Sequence, residues 1–215
     1  MRADGARATR CSRPLAADPD RDLHRVIAGL ILAAGAGTRF GAQPKLLAQL
    51  DGRPLLDYAV RAQCAVPELL RVVVVLGAHA EQVLERVDLR RAEPVICEDW
   101  QSGQAASLRR GVAALDGADK VLVTLGDEPL LTPAVIARFV GEPGGARAVY
   151  GGRPGHPVVL GVEQMQALAE LTGDHGAREL LQGGPRIECS SLCSGRDVDT
   201  PDDLEAISHE ARTIL

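Results

Sequence analysis

Residues 26–45 read VIAGLILAAGAGTRFGAQPK, and this stretch decides the fold class. Its first part, VIAGLILAA, is apolar on both faces, as a strand buried in a parallel sheet requires. Glycines 35, 37 and 41 then break the strand and form a loop. A glycine loop after a first buried strand suits phosphate, because its N–H groups can turn toward an anion. Two common versions fail here. A P-loop needs Gly-Lys at its end, but Gly41 is followed by Ala42. A dinucleotide fingerprint needs a third glycine where Phe40 stands, and an acid after the second strand where Gly77 stands. The loop instead carries two cations, Arg39 and Lys45, which suit a triphosphate that loses pyrophosphate.

Outward from the loop, strands and helices alternate. Residues 54–65 have helical spacing, RVVVVLG (71–77) is a second buried strand, and 79–87 is a helix. A short strand at 93–99 leads to a helix over 104–116, and KVLVTLGD (120–127) is a third strong strand ending in Asp127. Thr132 caps a helix opened by Pro133. Residues 147–161 read as strand, tight loop and strand, followed by helices at EQMQALAEL and HGARELLQG. A last strand is expected to end over Arg196–Asp199, before a closing helix capped by Thr200 with Pro201 first. This order predicts an α/β fold of Rossmann-like three-layer type, with a mostly parallel sheet and the site at the strands' C-terminal edge.

Composition narrows the function. The chain has 215 residues and a formal net charge of −5, which argues against a general nucleic-acid binder. Five aromatics are too few for a base-stacking platform. The five cysteines are scattered, and the lone C-x3-C of Cys189 and Cys193 has no second pair to complete a zinc site. With no 18-residue apolar run and no signal-peptide core, a cytoplasmic protein with no membrane partner is expected. Residues 1–25, with six Arg against four Asp, read as a flexible extension, leaving 26–215 as a single domain.

Five segments in order carry a resemblance: Leu32–Lys45, Gly103–Gly111, Gly126-Asp127-Glu128-Pro129, Pro154-Gly155-His156-Pro157 and Asp197–Asp203. Together they resemble nucleotidyltransferases of the nucleotide-diphospho-sugar transferase fold. The closest likeness is to the molybdenum-cofactor group, which transfers CMP or GMP to molybdopterin. The resemblance implies a Mg2+-dependent enzyme using CTP, or GTP, with molybdopterin, or alternatively a sugar phosphate or other small phosphate, as acceptor and a molybdoenzyme as recipient. It implies Asp127 as metal ligand, with Asp199 as the second and Asp197 as its alternative. Glu128 departs from the family's usual Gln or Met. Arg39, Lys45 and Asp127 would be catalytic. Leu32, Ala33, Ala34, Gly35, Gly37, Lys45, Gly103, Ser107 and Asp127 would bind the nucleotide, and His156, Arg109 and Arg178 the acceptor.

Each residue has a plainer reading. Asp199 could cap the closing helix, Asp202 and Asp203 suit its dipole, and Asp174 could cap another. Ser107 could be a helix N-terminal residue, and Arg109 and Arg110 a solvated face. His156 could be structural, and Trp100 could shield the site or only pack. His24, His79 and His209 are given no role. By the same resemblance, Ala33-Ala34-Gly35 is of the kind that the family's CTP users tend to carry, and the methyl of Ala34 would crowd a purine. A second class of function, a non-catalytic cofactor-delivery protein, is disfavoured by the presence of both acids and both cations.

Overall fold

The computed structural model describes residues 26–168 and 179–214. The expected extension, residues 1–25, and Asp174 and Arg178 lie outside them. Fifteen elements follow in order. They are β1 (Ile27–Ala33), β2 (Gln49–Leu50), β3 (Arg53–Pro54), α1 (Leu55–Cys64), β4 (Leu69–Leu76), α2 (Ala80–Arg86), β5 (Glu93–Ile96) and α3 (Gln104–Ala114). Then come β6 (Lys120–Leu125), α4 (Pro133–Ala137), β7 (Arg147–Tyr150), β8 (Arg153–Gly161), α5 (Val162–Ala167), β9 (Arg186–Glu188) and α6 (Pro201–Ile214).

Seven strands form one sheet in the order β5-β4-β1-β6-β8-β7-β9. The four from β5 to β6 run parallel. β8 is antiparallel to both β6 and β7, and β9 is parallel to β7. The β-branched run of β4 explains its central place. Val72 to Leu76 are fully buried, each side chain contributing about 1.5–3 kcal/mol through removal from water. One face of the sheet packs on α1, α2, α4 and α6, and the other on α3. This is the expected α/β architecture.

β1 lies between β4, the next strand of the sheet along the chain, and β6, so the chain order switches direction there. Such a switch opens a crevice at the strands' C-terminal ends. The loop after β1 and the Gly126–Pro129 turn after β6 meet in that crevice. The Gly126 N–H donates to the Leu32 carbonyl at 2.9 Å and holds the two ends together.

Three details differ from the sequence reading. The sheet's last strand lies at Arg186–Glu188, well before the expected end over Arg196–Asp199. Residues 196–199 join no ladder and run as an irregular segment. The segment's position is nonetheless fixed, because buried Val198 donates its N–H to the Asp127 carbonyl at 2.9 Å. The small hairpin of β2 and β3 was not expected, although Asp51-Gly52 is a strong turn signal. Both turn residues adopt positive φ, 46° and 77°.

Candidate active site

Lys45 stands at the centre of the crevice. It opens a single helical turn after the glycine loop, with Leu46 and Leu47 buried behind it. Its Nζ donates to Asp127 Oδ2 at 2.6 Å and to Asp199 Oδ1 at 3.0 Å. Arg39, on the short turn Thr38–Phe40, reaches the other oxygen of Asp199, with Nη2 to Oδ2 at 2.9 Å. The structure therefore brings together four residues drawn from the loop and the two acidic segments. Gly37 makes this possible. It has φ 62°, and a Cβ there would stand 2.9 Å from Lys45 Cβ. Phe40 is buried, so its side chain anchors the loop at the position where a dinucleotide fingerprint has glycine.

Charge balance in this cluster is unequal. Burial pulls the Lys45 ammonium down, but Asp127 and Asp199 outweigh it and hold its pKa above the ordinary value. Burial pushes the Asp127 carboxyl up against the pull of Lys45. Asp127 Oδ1 is buried with no hydrogen-bond partner. A buried acceptor without a donor is costly. An unpartnered oxygen beside a second carboxylate fits a hard divalent cation with oxygen ligands. No cluster of three or more His, Cys, Asp or Glu is gathered among the described residues, so phosphate or water oxygens would complete such a site.

Asp199 does not cap the closing helix. That task falls to Thr200 and Asp203, reciprocally. The Asp203 N–H donates to Thr200 Oγ1 at 3.2 Å, and Thr200 N–H donates to Asp203 Oδ2 at 2.8 Å. Asp203 thus does more than complement the helix dipole, and Asp199 is left free to face Lys45. Asp197 instead lines a neighbouring cleft of about 300 Å³ with Arg153, Arg196, Tyr150 and Asp199.

A second cleft, about 380 Å³, is lined by Leu32, Ala34, Gly35, Trp100, Gly103, Ser107 and Asp127. Six residues assigned to the nucleotide by resemblance therefore share one wall system with Trp100. Ala33 is buried beside it in the core. Arg110 lies elsewhere and donates to the Ile96 carbonyl at 3.2 Å. Arg109 is half-buried in α3 and lines neither cleft.

Gly77 has a steric role here. A Cβ on it would stand 2.5 Å from the Ala34 carbonyl oxygen and 2.8 Å from Trp100 Cγ. Crowding a packed contact typically costs about 1–3 kcal/mol. Gly77→Ala is expected to push Trp100 and the loop apart and weaken nucleotide binding by about tenfold. Calorimetry reads this directly, and an unchanged dissociation constant would refute it.

Two contacts were not foreseen. His79 Nε2 lies 3.2 Å from the Ala36 carbonyl and ties α2 to the glycine loop. Glu128 is buried, and its Oε1 lies 3.0 Å from His156 Nδ1. Burial lowers the His156 pKa, but the Glu128 charge reverses this and leaves it raised. The Tyr150 hydroxyl donates to the His156 carbonyl at 2.6 Å. His156 thus sits behind the carboxylate cluster, where the charges of Asp127 and Asp197 reach it.

Known proteins share this arrangement of chain. The chain is 36% identical over 193 residues to nicotine blue oxidoreductase of Paenarthrobacter nicotinovorans, covering 83% of this chain and 94% of that protein. It is 38% identical over 168 residues to 2-C-methyl-D-erythritol 4-phosphate cytidylyltransferase of Ralstonia nicotianae, covering 72% of this chain and 63% of that one. Its fold superposes on Rv0371c of Mycobacterium tuberculosis H37Rv, solved in complex with manganese, with a TM-score of 0.71 at 27% identity. That match covers 86% of this chain and 98% of the other. The family model of the MobA-like NTP transferase domain matches residues 29–189, a span that holds the glycine loop, Lys45, Asp127 and the cleft beside Trp100. The chain therefore belongs to the MobA-like NTP transferases and is a nucleotidyltransferase of that family.

Proposed function

We propose that this protein transfers CMP from CTP to the phosphate of molybdopterin and releases pyrophosphate. The observation that carries the reading is the meeting of Lys45, Asp127 and Asp199 at the rim of the Ala34–Trp100 cleft. A base in that cleft leaves its triphosphate beside the loop and its cations.

The reaction follows from these positions. An acceptor phosphate oxygen attacks the α-phosphorus in line, forming a P–O bond. The bond between the α-phosphorus and the bridging oxygen breaks, and its electron pair leaves with pyrophosphate. Loop N–H groups and Arg39 hold the leaving group. Lys45 stabilises charge on the α-phosphate. The acceptor phosphate is already ionised at neutral pH, so positioning and electrostatics supply most of the rate. Asp127 and Asp199 would hold Mg2+, which when bound neutralises charge on the departing phosphates. The cleft of Arg153 and Arg196 would receive the acceptor. His156, paired with Glu128, is retained from the resemblance as a further contact.

CTP is the nucleotide we favour over GTP, because alanine in place of glycine at position 34 of the cleft wall would leave less room for a purine. The similarity to a cytidylyltransferase supports the same choice. The product would pass to a molybdoenzyme. A cytoplasmic setting fits the free thiols of Cys64, Cys97, Cys189 and Cys193.

A redox reaction is the second reading, and its support is the 36% identity to nicotine blue oxidoreductase over nearly that protein's whole length. Phe40 in the loop and Gly77 after β4 oppose a dinucleotide site. The test incubates the protein with Mg2+, molybdopterin and each NTP in turn, and follows pyrophosphate. Release with CTP is the expected result. Release with GTP alone moves the assignment to guanylyl transfer. Binding without release would instead favour a delivery protein. Oxidation of NADH or NADPH by an added quinonoid electron acceptor, without pyrophosphate, would favour the redox reading.

A further inference from the structure

Ser107 lies in the first turns of α3, buried, with its side chain in the wall of the Trp100 cleft. Behind it stands Cys97, 1% exposed, just after β5. Ser107 Oγ is 3.8 Å from Cys97 Sγ, and Cys97 Sγ is 3.3 Å from Asp99 Oδ1. The direction of this chain follows from donor counting. A carboxylate only accepts, so the Cys97 S–H donates to Asp99. A thiol has one hydrogen, so its sulfur offers only lone pairs to Ser107. The Ser107 O–H must then donate to the sulfur. Burial pushes the Cys97 thiol pKa up, which keeps its hydrogen in place.

We infer that Cys97 and Asp99 are positioning residues that fix Ser107 as a hydrogen-bond acceptor toward the cleft, and so select a nucleotide base with an exocyclic amino group over one with a carbonyl there. Cytosine carries an N4 amine that can donate to Ser107. Uracil-type bases present the O4 acceptor at the same position. Two acceptors facing each other in a buried cleft leave both unsatisfied, which is the stronger source of discrimination. The inference rests on the nucleotide reading of this cleft and adds the means by which cytosine is told from uracil.

The experiment measures CTP and UTP binding by calorimetry in the presence of Mg2+, without turnover. The wild type is expected to favour CTP by about tenfold or more. Cys97→Ala frees the Ser107 hydroxyl to turn and donate to uracil O4, so the preference should fall to about threefold or less. Asp99→Ala should do the same from an exposed position, without opening a core cavity. Cys97→Ser, which can donate to Asp99 and accept from Ser107, should keep the wild-type ratio. A loss of packing alone would weaken both nucleotides together and leave the ratio unmoved. Equal affinities in the wild type, or a wild-type ratio in both alanine variants, would overturn the inference while the nucleotide site stands. Failure of both nucleotides to bind would remove the site itself.

Discussion

Asp127→Asn is expected to reduce nucleotidyl transfer by about a thousandfold, with the fold retained. The amide has the same shape and can still accept from Lys45. It cannot supply a second anionic oxygen where Oδ1 now lies buried without a partner. The effect should fall on kcat at saturating CTP, because the charge that Asp127 organises develops as pyrophosphate leaves. Raising Mg2+ should recover little of the rate. Steady-state pyrophosphate release gives the rate, and circular dichroism with thermal melting confirms the fold. A variant within tenfold of wild type would remove Asp127 from the reaction. The substitution also relieves a burial penalty on a carboxylate, so a slightly higher melting temperature would agree with the raised Asp127 pKa.

Much of this site is written in short stretches of sequence. The glycine loop, the acid ending β6 and the acids before α6 each lie next to a strong local signal. Hydrophobic runs mark buried strands, and buried parallel strands end at a shared edge. That logic brings Lys45 and Asp127 to one rim without knowledge of any contact, whereas Asp199 follows from the family resemblance, because its segment joins no strand. The same logic says nothing about strand direction beyond the parallel core. β8 is apolar through Val158, Val159 and Leu160 like the parallel strands, yet runs antiparallel beside β6. The Glu128–His156 pair depends on that placement, because the two residues come from the turn after β6 and from β8 itself. His79 was equally hidden, since its partner is a backbone carbonyl 43 residues away. The strand expected to end over residues 196–199 is absent there, and those residues join no ladder. The structure fixes them by one backbone bond to Asp127 and by buried Val198.

Lys45→Met separates the two tasks that this lysine performs. Its ammonium is shared by Asp127 and Asp199 at 2.6 and 3.0 Å, and its side chain is 12% exposed. Methionine preserves most of the apolar stem. It leaves two carboxylates facing each other without a cation between them. Breaking such a partly buried pair typically destabilises by about 3 kcal/mol. Asp127 then meets burial without its strongest opposing partner, so its pKa rises further above the unfolded value. A folded state that holds more protons than the unfolded one loses stability as pH rises. The variant should therefore melt earlier at pH 8 than at pH 5, by a wider margin than wild type does. Mg2+ should raise its melting temperature more than that of wild type, because the ion takes over the neutralisation that Lys45 supplied. Turnover should still fall by about a hundredfold or more, since the lysine's charge on the α-phosphate is not replaced. Equal Mg2+ shifts in the two proteins would show that the ion does not sit between these carboxylates. Wild-type turnover in the variant would show that Lys45 only neutralises the two acids it bridges.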